Sequence, residues 1–363
     1  MILHRYFALR YFKAFLGTAA GFFLMLVMIE LIEQLRRFGG QSDFPGILAL
    51  TLLNVPATLY QVLPLIVIIS ALVLFLGLAR SSEMVVTRAA GRSALIALIA
   101  PVLIVMLMGL LAVMAFNPIV ASTSREYDNR IATITGSSRI LQIGGDAIWL
   151  RQGDEDGQSV IRAAASDPDG TTLRGVTMLS YTNDGIPARR IDAAAATLSG
   201  DHWQMQNAKV WPLNTGQNPE ASATIHATLA VPSNLSPDEI RNSFGNPASI
   251  SVWELPAFIK RMEDAGFTAQ RQIVHLQSEL ALPAFLVAMM LIAAVFTLRH
   301  QRGGRTGMMV LFAVLISFSL YFIRNLAQIL GENGQLTPLL AAWVTPLAAI
   351  ALGVGLLLHL EDG

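Results

Sequence analysis

The sequence predicts an α-helical membrane protein with six transmembrane helices plus one extramembrane all-β, jelly-roll-like domain. Three observations carry this. The chain of 363 residues is 53% hydrophobic and only 14% charged, where soluble domains carry about a quarter charged residues. Six apolar windows, 11–35, 55–79, 93–116, 280–298, 306–330 and 337–358, are each long enough to cross about 30 Å of hydrocarbon. Between the third and fourth windows lies a polar stretch of short alternating segments. The expected division is 1–117 for the first three helices, 118–270 for the β domain with a connecting helix, and 271–363 for the last three helices.

Span 1 begins MILHRYFALRYFKAF, basic and then apolar, as signal peptides begin. Its apolar run is too long for a signal core and ends in Glu30, Glu33, Arg36 and Arg37 rather than in a small-residue cleavage site. It is therefore read as a retained helix. Gly17 and Gly21 in it form a small-xxx-small pair that permits close helix approach. Spans 2 and 3 flank ARSSEMVVTRAAGRS, residues 79–93, in which a helix near 81–91 is expected. Ser81 or Ser82 caps it, Glu83 sits in its first turn where the dipole favours a carboxylate, and Gly91 ends it. Met84, Val85, Arg88 and Ala89 share one partly apolar face.

Six strand-like segments follow: AIWLRQGD, SVIRAAASD, VTMLSYTNDG, ARRIDAAAATLSGD, HWQMQNAKVWPL and SATIHATLAVP. Turn sequences separate them, and SYTNDGIPARR and TLSGDHWQM are the clearest hairpins. Such a sheet can hold a lipid-like ligand, offer its edges to another sheet, or simply fold without either. Trp253, Leu255, Phe258, Ile259 and Met262 then recur at helical spacing, Gly266 ends that helix, and a second helix from about Thr268 runs into span 4.

Basic residues set the orientation. Arg5, Arg10 and Lys13 precede span 1; Arg80, Arg88 and Arg92 lie between spans 2 and 3; Arg299, Arg302 and Arg305 lie between spans 4 and 5. All three groups fall on one side, the cytoplasm by the positive-inside rule, with both termini there and the large domain opposite. Arg36 and Arg37 break the pattern and need another explanation.

No phosphate loop, nucleophile turn or HExxH occurs, the six histidines are scattered, and cysteine is absent. Formal net charge is zero, which gives no support for a nucleic-acid partner. The chain is thus expected to be a non-enzyme that binds no cofactor. An ion-coupled carrier is disfavoured because no carboxylate is central in a span; Glu30, Glu33, Glu279 and Arg324 all fall near the outer ends. Two readings of span 1 stand. Arg36 and Arg37, with Arg324, form a basic rim for a phosphorylated lipid headgroup, or they pair along the helix with Glu30 and Glu33. Segment 79–93 likewise reads as a stiff turn or as a coupling helix for a cytoplasmic motor.

RSSEMVVTRAAG at 80–91 resembles the coupling segment of the LptF/LptG permease family of the lipopolysaccharide exporter. ELIEQLRRFGG (30–40), NVP with LP eight residues on (54–64), IDAAAATLSGDHWQMQNAKVW (191–211) and ELPAFIKRMEDAGFTAQRQIVHLQSELALP (254–283) are also similar to the family, and the end of span 1 favours its LptG branch. The resemblance implies a permease subunit in a Gram-negative inner membrane, its β-jellyroll domain periplasmic. It implies pairing with an LptF-type permease and drive by two copies of an LptB-type ATPase, which bind ATP and Mg. It further implies delivery of lipopolysaccharide through LptC to an LptA-type bridge. By this match Arg80, Ser82, Glu83, Met84, Val85 and Arg88 belong to the ATPase-coupling segment, and Arg36 and Arg37 to the basic pair that meets substrate phosphates, beside Glu30 and Glu33. The competing class is a membrane-anchored scaffold whose β domain binds a periplasmic partner.

Overall fold

The computed structural model describes residues 2–81, 83, 94–135, 141–144, 147–154, 157–167, 171–182, 184–213, 218–233, 235, 247–264, 268–297 and 306–362. The chain divides into a helical unit (1–130, 247–255 and 270–363) and a β unit (131–246 and 256–269).

In the helical unit α1 spans Ile2–Phe38, α2 Phe44–Gln61, α3 Leu63–Arg80 and α4 Ala94–Leu111. A π-helical turn, Ala112–Phe116, joins α4 to α5, Asn117–Thr135. After the strands come α6 (Leu255–Asp264), all but its first residue in the β unit, and then, in the helical unit, α7 (Gln270–Thr297), α8 (Thr306–Glu332) and α9 (Pro338–Asp362). Six of the described helical stretches are long and apolar enough to cross a membrane, which matches the six expected spans. At 1.5 Å per residue α1 is about 55 Å long, well beyond the hydrocarbon thickness, so its charged last turns have room outside it.

Sequence patterning gave no helix to residues 39–54 and ran span 2 from 55. The structure instead has two helices there. Asp43 caps α2 by accepting from the Gly46 amide at 3.1 Å, and a proline follows in its first turn. Pro64 has no amide to continue the ladder, so the chain breaks at Val62 and α3 starts afresh. Leu63–Arg80 alone is the second apolar span.

The centre of the unit is α7. Of its most apolar window 83% is buried, against 6% for α1 and 11% for α8, so α7 is the core and the other two are its outer faces. Leu24 (65% exposed) and Phe318 (64%) mark those faces. Such exposure is unfavourable in water and costs nothing in lipid. Close packing on α7 relies on glycines. A Cβ at Gly109 would lie 2.6 Å from Pro283 Cα, and one at Gly353 would lie 2.9 Å from Leu291 Cβ. By contrast, nothing lies within 4 Å of a Cβ built at Gly17 or Gly21, so this pair brings no helix close within the described chain. Gly109→Val should lower the stability of the helical unit by about 1–3 kcal/mol through overpacking, with Gly17→Val near neutral. The loss of monodisperse protein on heating in detergent measures both.

The β unit holds β1 (Leu141–Gly144), β2 (Ala147–Asp154), β3 (Gly157–Ala163), β4 (Ala165–Ser166), β5 (Thr172–Thr182), β6 (Pro187–Ser199), β7 (His202–Pro212) and β8 (Thr224–Pro232). All pairings are antiparallel, in the order β1-β2-β3-β5-β6-β7-β8, with β4 also on β5. The six expected strands are present; β1 was not anticipated. Gly185 and Gly200 hold positive φ (77° and 62°) in the two hairpins the sequence marked.

The sheet has one transverse line where β3 with β4, β5, β6, β7 and β8 change their inward face, while β2 keeps 148, 150 and 152 inward throughout. Residues 159, 161 and 163 point in before it on β3, and 166 after it on β4. The same switch occurs on β5 (173, then 176 and 178), β6 (191 and 193, then 196 and 198), β7 (203 and 205, then 208) and β8 (226, then 229 and 231). The registers put the switch points, 164, 175, 194, 207 and 227, in one row across the sheet. Gly175 (φ 60°) and Asn207 (φ 52°) supply left-handed backbone there. The bent sheet rolls far enough for β2 to meet the opposite edge. Buried Gln152 accepts from Trp203 Nε1 (3.2 Å) and Ser233 Oγ (2.9 Å) and donates to the Pro232 carbonyl (3.0 Å). Ile148, Leu150, Ile161, Met178, Ile191, Trp203 and Met205 fill the interior.

Candidate functional site

Three polar clusters stand out against the apolar helices. Two lie at the end of the bundle from which the chain departs for the strands, here called the domain end. One lies at the opposite end.

At the domain end of α1 the charged residues divide their partners. Glu33 accepts from Arg36 Nη2 at 2.8 Å, an exposed i,i+3 pair. Glu30 does not pair with either arginine. It accepts from Gln34 Nε2 (2.6 Å) and from Asn54 Nδ2 of α2 (2.8 Å), and Gln34 also reaches the Tyr127 hydroxyl of α5 at 2.8 Å. Gln34 is buried at 1% exposure, so Glu30 acts as a clasp between α1, α2 and α5. Arg37 stacks its guanidinium over the Phe38 ring, 5.4 Å from the centroid, and makes no ion pair among the described residues. The side chain of Arg36 is 75% exposed. An exposed pair of this kind contributes about 0–1 kcal/mol and is easily exchanged for a better anion. Arg125 and Arg130 on α5 have carboxylate partners in Glu254 (3.1 Å) and Glu126 (2.8 Å).

The second cluster surrounds Glu279, about 14 Å along α7 from its start at 1.5 Å per residue. Its side chain is buried and accepts from the Tyr60 hydroxyl of α2 and from Asn117 Nδ2 of α5 (3.1 Å). His275 lies one turn away at 3.9 Å. Arg324 of α8 faces the same carboxylate electrostatically, without an ion pair within 4 Å among the described residues. Its Nη2 reaches the Ser278 carbonyl at 3.5 Å, its guanidinium stacks 4.8 Å from the Phe285 centroid, and its Nε is buried without a protein partner.

Asn117 is placed there by a local irregularity. Pro118 cannot donate to the Met114 carbonyl, four residues back. The helix widens into a π turn just before it, and that carbonyl accepts instead from Trp253 Nε1 at 3.1 Å. The Asn117 side chain accepts from the Val252 amide at 2.9 Å while donating to Glu279. Glu279 thereby ties α2, α5 and the returning segment 247–255 to α7. Asn117 and Tyr60 were missed by sequence reading; the only signal was an amide and a hydroxyl at the ends of apolar runs.

The third cluster is at the opposite end. Glu83, just beyond α3, accepts from Arg10 Nη1 of α1 (2.6 Å) and from Ser81 Oγ (2.7 Å). The Tyr6 hydroxyl accepts from the same Arg10 nitrogen at 2.8 Å. Partial burial pushes the Glu83 carboxyl upward, but hydrogen bonds from Ser81, Arg10 and Tyr6 outweigh it, and its pKa lies below the ordinary carboxylate value. Arg80 ends α3. Ser82, Met84, Val85 and Arg88 of the expected coupling helix lie outside the described residues. No group of three metal-ligating side chains occurs among the described residues.

The pattern of the family described as "Lipopolysaccharide export system permease LptF/LptG" matches residues 5–359. The chain is 23% identical over 367 residues to the lipopolysaccharide export system permease protein LptG of Escherichia coli K12, covering 99% of this chain and 98% of that protein. It is 22% identical over 330 residues to the protein of the same name from Haemophilus influenzae, covering 88% of each.

Proposed function

The chain belongs to the LptF/LptG family of lipopolysaccharide export permeases, and from that premise we propose that it is the LptG-type permease subunit of an ABC transporter. With its apolar helices, membership makes it a multi-pass inner-membrane protein. The observation that carries the proposal is the match along residues 5–359, which takes in both the helical and the β unit.

In this reading the domain end faces the periplasm, and the opposite end, with both termini, faces the cytoplasm. The outer faces of α1 and α8 adjoin an LptF-type permease and enclose the acyl chains of lipopolysaccharide. Arg36 and Arg37 meet its phosphates from the rim of the outer leaflet, where a guanidinium donates two bonds at once. Glu30 and Glu33 border that rim, Glu30 as the clasp of α1 and Glu33 as the resting partner of Arg36. Arg324 faces buried Glu279, so it supports the rim from behind. At the cytoplasmic end Arg80, Ser82, Glu83, Met84, Val85 and Arg88 dock an LptB-type ATPase, two copies of which hold ATP and Mg for the complex. The edges of the rolled sheet, β1 and β8, offer main-chain groups to LptC and then to an LptA-type bridge.

The test is photocrosslinking to lipopolysaccharide in proteoliposomes that contain this chain, its permease partner and the ATPase. Crosslinks near residues 36–37 should form, and Arg36→Glu with Arg37→Glu should reduce them by about tenfold, the loss of one or two charge-assisted contacts. Unchanged crosslinking would leave the arginines as helix-end charges without a substrate.

A further inference from the structure

Coupling segments are usually considered as handles gripped by a motor. Here the handle is also gripped from within the chain. Arg10 of α1 crosses to α3 and bonds Glu83 Oε1 at 2.6 Å, the same oxygen that Ser81 Oγ reaches at 2.7 Å. The crossing is built into the packing. A Cβ at Gly77 would lie 3.3 Å from Arg10 Nη2, so the glycine leaves the passage that the guanidinium occupies. Tyr6, one turn earlier, accepts from Arg10 Nη1 at 2.8 Å, and the guanidinium carbon lies 5.7 Å from the Tyr6 ring centroid. The Arg10 side chain is therefore fixed on both sides. The pair is partly exposed, 32% for Arg10 and 30% for Glu83, so a docking protein can still reach the carboxylate.

We propose that Arg10 is a positioning residue for the reaction cycle: a strut, steadied by Tyr6 and admitted by Gly77, that fixes Glu83 to the foot of α1. A displacement of Glu83 by the motor is then passed to α1 at its base. The far end of that same continuous helix carries Arg36 and Arg37. A helix is stiff along its axis, whereas a handle joined to α1 only through the loops would move without it. This inference rests on the proposed docking of an ATPase at Glu83 and adds a route by which docking reaches the lipid-facing helix.

The experiment reads two rates in one sample: ATP hydrolysis and lipopolysaccharide release by the reconstituted complex of this chain, its permease partner and the ATPase. Arg10→Ala should keep hydrolysis within about twofold of the unsubstituted complex. It should cut the lipopolysaccharide released per ATP by about tenfold, the worth of one charge-assisted contact. Arg10→Lys should restore most of that ratio, because a point charge suffices for one carboxylate oxygen. Gly77→Leu, with Arg10 intact, should reproduce the loss by closing the passage. An unchanged ratio in Arg10→Ala would overturn the proposal. So would a parallel loss of both rates that Arg10→Lys does not repair, since that is a packing defect. Failure of the underlying reading looks different: Glu83→Ala would then leave ATPase binding and release intact.

Discussion

Glu279→Leu is expected to destabilise the helical unit more than any other single substitution considered. The leucine removes the acceptor for the Tyr60 hydroxyl and for Asn117 Nδ2, and it removes the carboxylate that Arg324 faces. Each buried donor left without an acceptor, the Tyr60 hydroxyl and Asn117 Nδ2, costs about 1–3 kcal/mol, and the loss of the carboxylate leaves the Arg324 guanidinium without the opposite charge it faces. Glu279→Gln keeps a carbonyl acceptor and loses only the charge, so its effect should be intermediate. Adding Arg324→Leu to Glu279→Leu removes the stranded cation and should recover part of the loss, a coupling that a double-mutant cycle isolates. The measure is the fraction of monodisperse protein that survives heating in detergent. If Glu279→Leu proves no worse than Glu33→Ala, the cluster is not a structural centre.

Glu279 also indicates what sequence can and cannot carry. Hydropathy located the six spans because each is a long apolar run, and the turn sequences located six strands. Partner choice was not legible. Glu33, three residues before Arg36, takes that arginine, whereas Glu30, six and seven residues before the two arginines, takes Gln34 one turn on and Asn54 of α2, and the choice of Asn54 has no signal in the local spacing. The deciding factor is which way each face of α1 points, toward α2 or outward, and that is set by tertiary packing. The break at Val62 was hidden because both sides of it are apolar, and only Pro64 marked it.

The row of switch points in the β unit was hidden for another reason. Alternation fails midway in β5, β6, β7 and β8 and between β3 and β4, so a period-two reading loses its phase there. On β6 the failure falls inside DAAAATLS, where alanines carry no inside-or-outside signal. Only the pairing registers reveal that the failures of neighbouring strands are aligned and bend the sheet as a whole. Gly175 and Asn207 were visible as residues that tolerate positive φ, but nothing in the sequence says they sit in one row.

Glu83→Arg is expected to abolish ATP-driven release of lipopolysaccharide while the chain still folds and pairs with its permease partner. The substitution puts a cation where Arg10 and Ser81 now donate to a carboxylate, so the internal grip becomes a repulsion. A charge-assisted hydrogen bond to a docking partner is worth about 1.5–3 kcal/mol, ~10-fold or more in affinity, and reversing the charge costs more. The ATPase should therefore fail to co-purify with the permeases in mild detergent. Glu83→Gln separates the two roles of the side chain. The amide oxygen can still accept from Ser81, so the local turn persists, but the charge that a motor would read is gone. Retention of the ATPase in Glu83→Gln and its loss in Glu83→Arg would mean that position 83 must only not be positive, the behaviour of a stiff turn beside the basic residues of the loops. Loss in both, with normal heat stability in detergent, is the result that a docking carboxylate requires.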